Sequence, residues 1–186
     1  MQNTYVTRCL QKTDDIRRLT DRMFEYALVY DASEPEQIRM ISFSLSRLLE
    51  LFREQMDFLE LAGFHTDISF PDADTSDITT PDALTIQADP ELCKRILNNL
   101  FSNILKYGSK QETVTLSMQL PPEINKDATL CLALKNTVKP EHSAVESNRI
   151  GLKSSTRNME RMGGKLVVFQ TDTFFEVTLS FPVTAP

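Results

Sequence analysis

Apolar residues recur every three or four positions in two long stretches of the chain, a spacing that predicts amphipathic helices. The first stretch runs from Val6 to Tyr30 without a glycine or proline, and the polar segment 31–35 closes it. The second begins at Ser44, a residue type that caps helix N-termini, and ends at Gly63. The pattern therefore predicts a long N-terminal helix followed by a second, shorter one.

Two further helices are predicted nearer the middle and the end of the chain. Asp89 is a natural N-cap and Pro90 suits the first helical position, so a helix is expected to start there. A helical run is also expected over residues 154–162, where Gly163 and Gly164 end it.

Short runs of alternating or β-branched residues between these helices predict strands. The predicted strands cover residues 39–43, 66–70, 84–87, 113–120, 129–134, 165–170 and 174–181. Residues 71–81, rich in Asp, Ser and Thr, predict a surface loop. The order predicts an α+β fold, a two-layer sandwich with helices on one face of a mixed, mostly antiparallel sheet. Residues 1–32 are expected to form a helical appendage, and residues 36–183 are expected to form the globular domain.

Composition narrows the class of protein. The hydrophobic content of 41% in 186 residues supports a packed core. A net charge of -6 argues against nucleic acid as the main partner. The three cysteines are scattered without metal-binding spacing, which is typical of reduced thiols in a cytoplasmic protein. The absence of an apolar run of about 20 residues argues against direct membrane contact by this chain.

The chemistry-bearing residues concentrate in the helix that starts at Pro90. Asn99 and Asn103 stand four residues apart and share one helix face, and Lys106 and Tyr107 follow one turn later. Amide oxygens suit a hard cation such as Mg²⁺, and a lysine supplies a point charge to phosphates. The group predicts one wall of a site for a metal-bound polyphosphate, although a solvated surface helix would also explain a lone Asn pair.

A glycine precedes the last predicted helix. Gly151 would let the backbone approach a phosphate, and the amides of Leu152 and Lys153 would open a helix whose N-terminus attracts anions. Taken alone, the same residues are also compatible with an ordinary loop-to-helix junction.

These motifs together resemble a known family. The string N-L-x-x-N-x-x-K-Y over residues 99–107 resembles the N-box of sensor histidine kinase ATP-binding domains, a fold family shared with gyrase and MutL. The segment 150–153, with its trailing helix and closing Gly-Gly, resembles the G2 box, G-x-G-L. The resemblance spans about Glu36 to Val183 and implies a Bergerat-type ATP-binding fold.

The chain departs from the family pattern at two boxes. Where the family usually has D-x-G-x-G in its G1 box, residues 134–138 read L-K-N-T-V, so Asn136 stands for the Asp that binds the adenine amine. The peptide-sensing branch of the family also has Asn here. An amide can accept from that amine, although a polar residue at a strand end would look the same. Arg149 replaces the first glycine of the G2 box.

The resemblance implies ATP and Mg²⁺ as cofactors and assigns roles to individual residues. Those implied roles are Mg²⁺ ligation by Asn103, assistance directly or through water by Asn99, phosphate binding by Lys106, lining of the nucleotide pocket by Tyr107, adenine binding by Asn136, and phosphate support by Gly151 and Leu152.

The phosphoacceptor motif of the family is missing. The two histidines, His65 and His142, stand in no such context, and no catalytic side chain is assigned within the chain. Residues 12–26 resemble the second helix of a kinase dimerisation hairpin. The chain therefore reads as a piece of a longer sensor kinase, although a natural truncation, or a helix that packs on its own domain, would look alike.

The leading hypothesis is the ATP-binding catalytic part of a two-component sensor histidine kinase, which forms a homodimer when intact and acts on a response regulator. A docking module that has lost nucleotide binding is the first alternative. An anti-sigma-type serine kinase of the same fold is the second. The set Asn99, Asn103 and Lys106 favours ATP, because a pure scaffold has little use for it.

Overall fold

The computed structural model describes residues 12–13, 37–70, 84–121, 128–139 and 150–184. Three helices lie in these ranges: α1 (Leu45–Leu61), α2 (Pro90–Tyr107) and α3 (Ile150–Arg161). Seven strands accompany them: β1 (Ile41–Ser44), β2 (His65–Ser69), β3 (Thr85–Ala88), β4 (Thr113–Gln119), β5 (Thr129–Thr137), β6 (Lys165–Gln170) and β7 (Phe174–Thr184). Lys12 and Thr13 are helical, and the rest of the predicted N-terminal helix lies outside the described residues.

The strands form one seven-stranded sheet in the order β1-β3-β7-β5-β4-β2, with β6 also paired to β7. The β2–β4 pair is parallel and the other pairs are antiparallel. The C-terminal strand β7 therefore lies inside the sheet, between β5 on one side and β3 and β6 on the other. The expectation of a mixed, mostly antiparallel sheet is confirmed.

One face of this sheet is covered and the other is partly open. Along β4 and β5 every second residue is buried, beginning with Val114 and Leu130, and the intervening positions are half-buried or exposed. The covered face packs against the apolar sides of the helices. Helices α1 and α2 also contact each other through the rings of Phe52 and Phe101, which meet edge-on with their centroids 6.5 Å apart. This is the expected two-layer α+β sandwich.

The helix ends follow the residues that the sequence offers for them. The Ser44 side chain accepts from the amide of Arg47 at the start of α1. Asp89 caps α2 by accepting from the amides of Glu91 and Leu92, with Pro90 at the first position. Gly163 ends the last helix with a positive φ of 75°, a conformation that glycine adopts without steric cost.

Some boundaries differ from the sequence expectation. The first strand lies at Ile41–Ser44 instead of 39–43, and β5 continues to Thr137, three residues beyond the predicted end. Helix α3 begins at Ile150, four residues before its predicted start, so Gly151 and Leu152 lie within its first turn. The loop 71–81, the segment 140–149 and His142 lie outside the described residues. Among the described helices, none is both long and apolar enough to cross a membrane.

Candidate functional site

Helix α2 divides its residues between the core and the candidate site. Its apolar stripe, which includes Leu100 and Ile104, is buried against the sheet and α1. Asn99, Asn103 and Tyr107 are half-buried at its border, and Lys106 is exposed. The periodicity of the helix therefore places the four predicted site residues of this segment along one side, as the sequence indicates.

The first contact of the site joins α2 to α3. The side-chain amide of Asn99 donates to Ser155 Oγ at 2.9 Å. Gly151 stands against the same amide: a β-carbon built there would overlap Asn99 Oδ1 and lie 2.8 Å from Asn99 Cγ. Gly151 has no positive φ, so the close approach of Asn99 is what makes glycine necessary at this position.

The second contact joins the end of α2 to the end of β5. Gly108 forms an isolated antiparallel bridge with Val138. The Ser109 amide donates to the Thr137 carbonyl at 2.8 Å, and the Lys139 amide donates to the Tyr107 carbonyl at 2.9 Å. The C-terminal end of the Asn-bearing helix is thereby held beside the strand that carries Asn136.

Asn136 lies in β5 opposite Phe175 of β7 and is 3% exposed. Its side-chain amide donates to the carbonyl of Thr137 at 3.0 Å. That carbonyl also accepts from the Ser109 amide, so one oxygen links Asn136 to the segment that follows α2. With the nitrogen engaged by backbone, the side-chain oxygen of Asn136 is the atom suited to accept from a ligand amine.

The first turn of α3 is the remaining part of the site. Leu152 is half-buried and packs against the hydrophobic core, which fixes the turn on the body of the domain. The Leu152 carbonyl accepts from Thr156 Oγ1 at 2.9 Å, within the same helix. A helix N-terminus of this kind carries backbone donors and a favourable dipole for an anion.

The side chains of the candidate site fit a metal ion whose other ligands are phosphate oxygens and water. Among the described residues, no three His, Cys, Asp or Glu side chains group as a metal site. No residue in the described ranges is hydrogen-bonded to the Asn103 side chain. Its amide oxygen is therefore available for a hard cation. Mg²⁺ bound this way would keep waters and phosphate oxygens as its other ligands.

Two residues of this arrangement were missed by sequence reasoning. Ser155 stands one turn after Gly151 on α3, and the Thr137 carbonyl belongs to the backbone. No periodicity or motif marks either residue, because both act through contacts between segments distant in sequence. A cavity of about 440 Å³ lies at the other end of α2, lined by residues including Arg39, Asp89 and Arg161, and is separate from this group.

Comparisons with known proteins find similarity to histidine kinases in sequence and in fold. The sequence is 25% identical over 184 residues to sensor histidine kinase YrkQ of Bacillus subtilis (strain 168), which covers 97% of this chain and 38% of the relative. The chain thus spans well under half the length of the curated relative that it matches. No family model matches the sequence.

Solved histidine kinases share the fold. The nucleotide-free catalytic domain of ThkA superimposes with a TM-score of 0.55 at 14% identity, covering 77% of this chain and 95% of that domain. Full-length ShkA in complex with AMPPNP gives 0.56 at 17% identity, covering 100% of this chain and 39% of ShkA. The likeness to histidine kinase catalytic domains that the motifs indicate is confirmed, and so is the fold class.

Proposed function

We propose that this chain, a homologue of sensor histidine kinases with the fold of their catalytic domains, binds Mg²⁺·ATP and positions it for phosphoryl transfer to a histidine. The observation that carries the proposal is the pair of contacts made by α2. Through Asn99 it contacts the first two turns of α3, and the residues directly after it, Gly108 and Ser109, contact the end of β5. The two segments that carry the other motifs therefore both contact this helix or the residues directly after it.

Each residue of the candidate site would bind a different part of the Mg²⁺·nucleotide. The amide oxygen of Asn103 would hold Mg²⁺, which neutralises charge on the phosphates when it is bound. Lys106 would bind phosphate as a point charge, and the backbone amides at Gly151 and Leu152 would add donors at the helix N-terminus. Asn136 would accept from the adenine amine, and Tyr107 would line the pocket. Such catalysis depends on positioning and charge stabilisation.

The acceptor histidine is expected outside this sequence. His65 is exposed at the start of β2, and neither it nor His142 stands in a phosphoacceptor motif. We infer that the chain alone does not autophosphorylate. Acid-labile radiolabel carried onto the purified chain from γ-labelled ATP would contradict this inference.

In the intact protein we infer a homodimer that is phosphorylated at histidine and acts on a response regulator in the cytoplasm. The division into a hairpin-like segment, 1–32, and an ATP-binding domain, 36–183, belongs to the same proposal. The resemblance of residues 12–26 to a dimerisation helix supports it.

Calorimetric titration of Mg²⁺·ADP into the whole chain tests the proposal. The informative variant is Asn103→Ala, because it removes the candidate metal ligand. Its matched control is Asn98→Ala, which removes an exposed amide from the neighbouring position of the same helix. We expect saturable binding by the wild type and the control, and loss of at least tenfold in affinity in Asn103→Ala.

The Asn103→Ala protein should also keep its thermal stability without nucleotide. Its side chain is half-buried and is hydrogen-bonded to no described residue, and Ala is the better helix former. A folded wild type that binds no nucleotide would overturn the proposal in favour of the docking-module alternative. Transfer of phosphate to a serine of a separate protein would favour the serine-kinase alternative.

A further inference from the structure

Ser155 is a buried polar residue that is hydrogen-bonded to the predicted site residue Asn99. It is 3% exposed, and its hydroxyl oxygen accepts from the Asn99 amide at 2.9 Å. The G2-box resemblance assigns Ser155 no role. A buried hydroxyl must be hydrogen-bonded to offset its loss of water, so this pairing constrains both side chains.

The constraint on Asn99 acts from two sides. Ser155 holds the nitrogen of the amide, and the backbone of Gly151 faces its oxygen so closely that no β-carbon fits between them. Ser155 and Gly151 are four residues apart on α3, so they present one face of that helix to Asn99. The amide of Asn99 is therefore clamped between two successive turns of α3.

We propose that Ser155 is a positioning residue for the nucleotide site, whose hydroxyl fixes the Asn99 amide and thereby sets where the first turn of α3 stands along α2. The inference rests on the proposed function. Its consequence is that Asn99 serves the site by joining the two helices that hold the nucleotide, and Asn103, four residues further on, remains the metal ligand.

The relative position of the helices matters because phosphate donors and the metal ligand are on different elements. Gly151 and Leu152 belong to α3, whereas Asn103 and Lys106 belong to α2. A shift of one helix by up to about 1 Å relative to the other weakens the interactions of a ligand that contacts both helices. A fixed Asn99 amide removes that freedom before the ligand arrives.

The test separates the effect of the hydroxyl group from the effect of side-chain shape at position 155. Ser155→Thr keeps the hydroxyl, Ser155→Val has nearly the shape of Thr without it, and Ser155→Ala removes the hydroxyl alone. Ser154→Ala is the control, since Ser154 is the half-buried neighbour on the same helix. Affinity for Mg²⁺·ADP is measured by calorimetry on the whole chain, and the unfolding midpoint without nucleotide is measured in parallel.

We expect Ser155→Ala and Ser155→Val to weaken Mg²⁺·ADP binding about fivefold, the worth of an average hydrogen bond. Ser155→Thr should stay within about twofold of the wild type, and Ser154→Ala should match it. Equal losses in the Thr and Val variants would overturn the inference, because shape alone would then matter. So would lowered unfolding midpoints with unchanged affinity, which indicate a purely structural serine.

The two levels of the proposal fail separately. If the folded wild type does not bind Mg²⁺·ADP, the proposed function is wrong, and this inference falls with it. If the wild type binds and all position-155 variants bind equally well, the proposed function stands and the positioning role is rejected.

Discussion

The side-chain amide of Asn99 occupies the space that a β-carbon at position 151 would take, since such a carbon would lie 2.8 Å from Asn99 Cγ. Gly151→Ala should therefore displace the amide and break its hydrogen bond to Ser155. Breaking that bond leaves the buried Ser155 hydroxyl without this partner, at a cost of about 1 to 3 kcal/mol, and the gain in helix propensity, about 0.5 to 1 kcal/mol, offsets only part of it. We expect a net loss of about 1 kcal/mol in urea titrations together with weaker Mg²⁺·ADP binding.

The matched background for this prediction is Asn99→Ala, which removes the amide that obstructs position 151. In that background Gly151→Ala should become stabilising by about 0.5 to 1 kcal/mol, because the propensity gain remains and nothing is displaced. Equal effects of Gly151→Ala in both backgrounds would show that the close approach of Asn99 has no energetic weight.

Asn136→Asp should destabilise the protein, although the family usually has Asp at this position. The Asn136 amide donates to the Thr137 carbonyl at 3.0 Å, and a carboxylate would instead set two acceptors against each other at a site 3% exposed. The loss should be about 2 to 3 kcal/mol at pH 7 in urea titrations.

That loss should shrink as the pH falls, which identifies its cause. Burial and the facing carbonyl favour the protonated form of the new carboxyl, so its pKa in the folded state lies above its unfolded value. The penalty is therefore smallest below the unfolded pKa and grows as the pH rises through the folded one. Asn98→Asp, at an exposed position of α2, should show no such trend.

Asp89→Ala should cost more than the equivalent change at the other helix cap. Asp89 accepts from the amides of Glu91, Leu92 and Arg39, the last at 2.8 Å. Its removal loses an N-cap and leaves the backbone amide of Arg39 without its partner. Together these losses should lower the free energy of unfolding by about 2 to 3 kcal/mol. Ser44→Ala removes a single bond of 3.4 Å to Arg47 and should cost about 0.5 to 1 kcal/mol.

Both capping variants should be measured by urea denaturation without nucleotide, so that binding does not mask the difference. Similar losses at the two caps would mean that the Asp89 link to Arg39 adds nothing beyond a standard helix cap.

Alkaline pH should destabilise the protein through Cys93. Burial, with a smaller effect of the nearby Asp89 charge, raises the pKa of this thiol from its ordinary 9.0 to about 12. The unfolded thiol therefore loses its proton first, and stability that is complete below pH 9 is lost as the pH rises toward 12.

The matched comparison is Cys93→Ala, whose side chain does not titrate. Between pH 8 and pH 10 the wild type should lose about 1 kcal/mol more of its unfolding free energy than this variant. Unfolding titrations at the two pH values measure the difference. Parallel pH dependence of the two proteins would contradict a buried, protonated thiol at position 93.

The sequence predicted the elements that local chemistry determines. The caps at Ser44 and Asp89 and the glycine stop at Gly163 are short-range signals, and the structure confirms them. The early start of α3 at Ile150 could not be predicted, because Gly151 is a poor helix former in isolation and its contact with Asn99, fifty-two positions away, is not visible in the sequence.

The extension of β5 was missed for a related reason. Lys135, Asn136 and Thr137 are polar, so they look like the end of a strand, yet pairing with β7 carries the ladder to Phe174. Ser155 was missed because a serine on a helix has no periodic signature. The motif resemblance supplied the residues of the candidate site, and the structure shows the tertiary contacts that join some of them.

The central place of β7 has a consequence for biosynthesis. This strand pairs with β3, β5 and β6, so the two sides of the sheet are joined only once residues 174–184 are available. A ribosome delivers those residues after all the other strands. Until then the edges of β3, β5 and β6 that pair with β7 lack that partner, and unpaired strand edges of this kind make a nascent chain prone to aggregation.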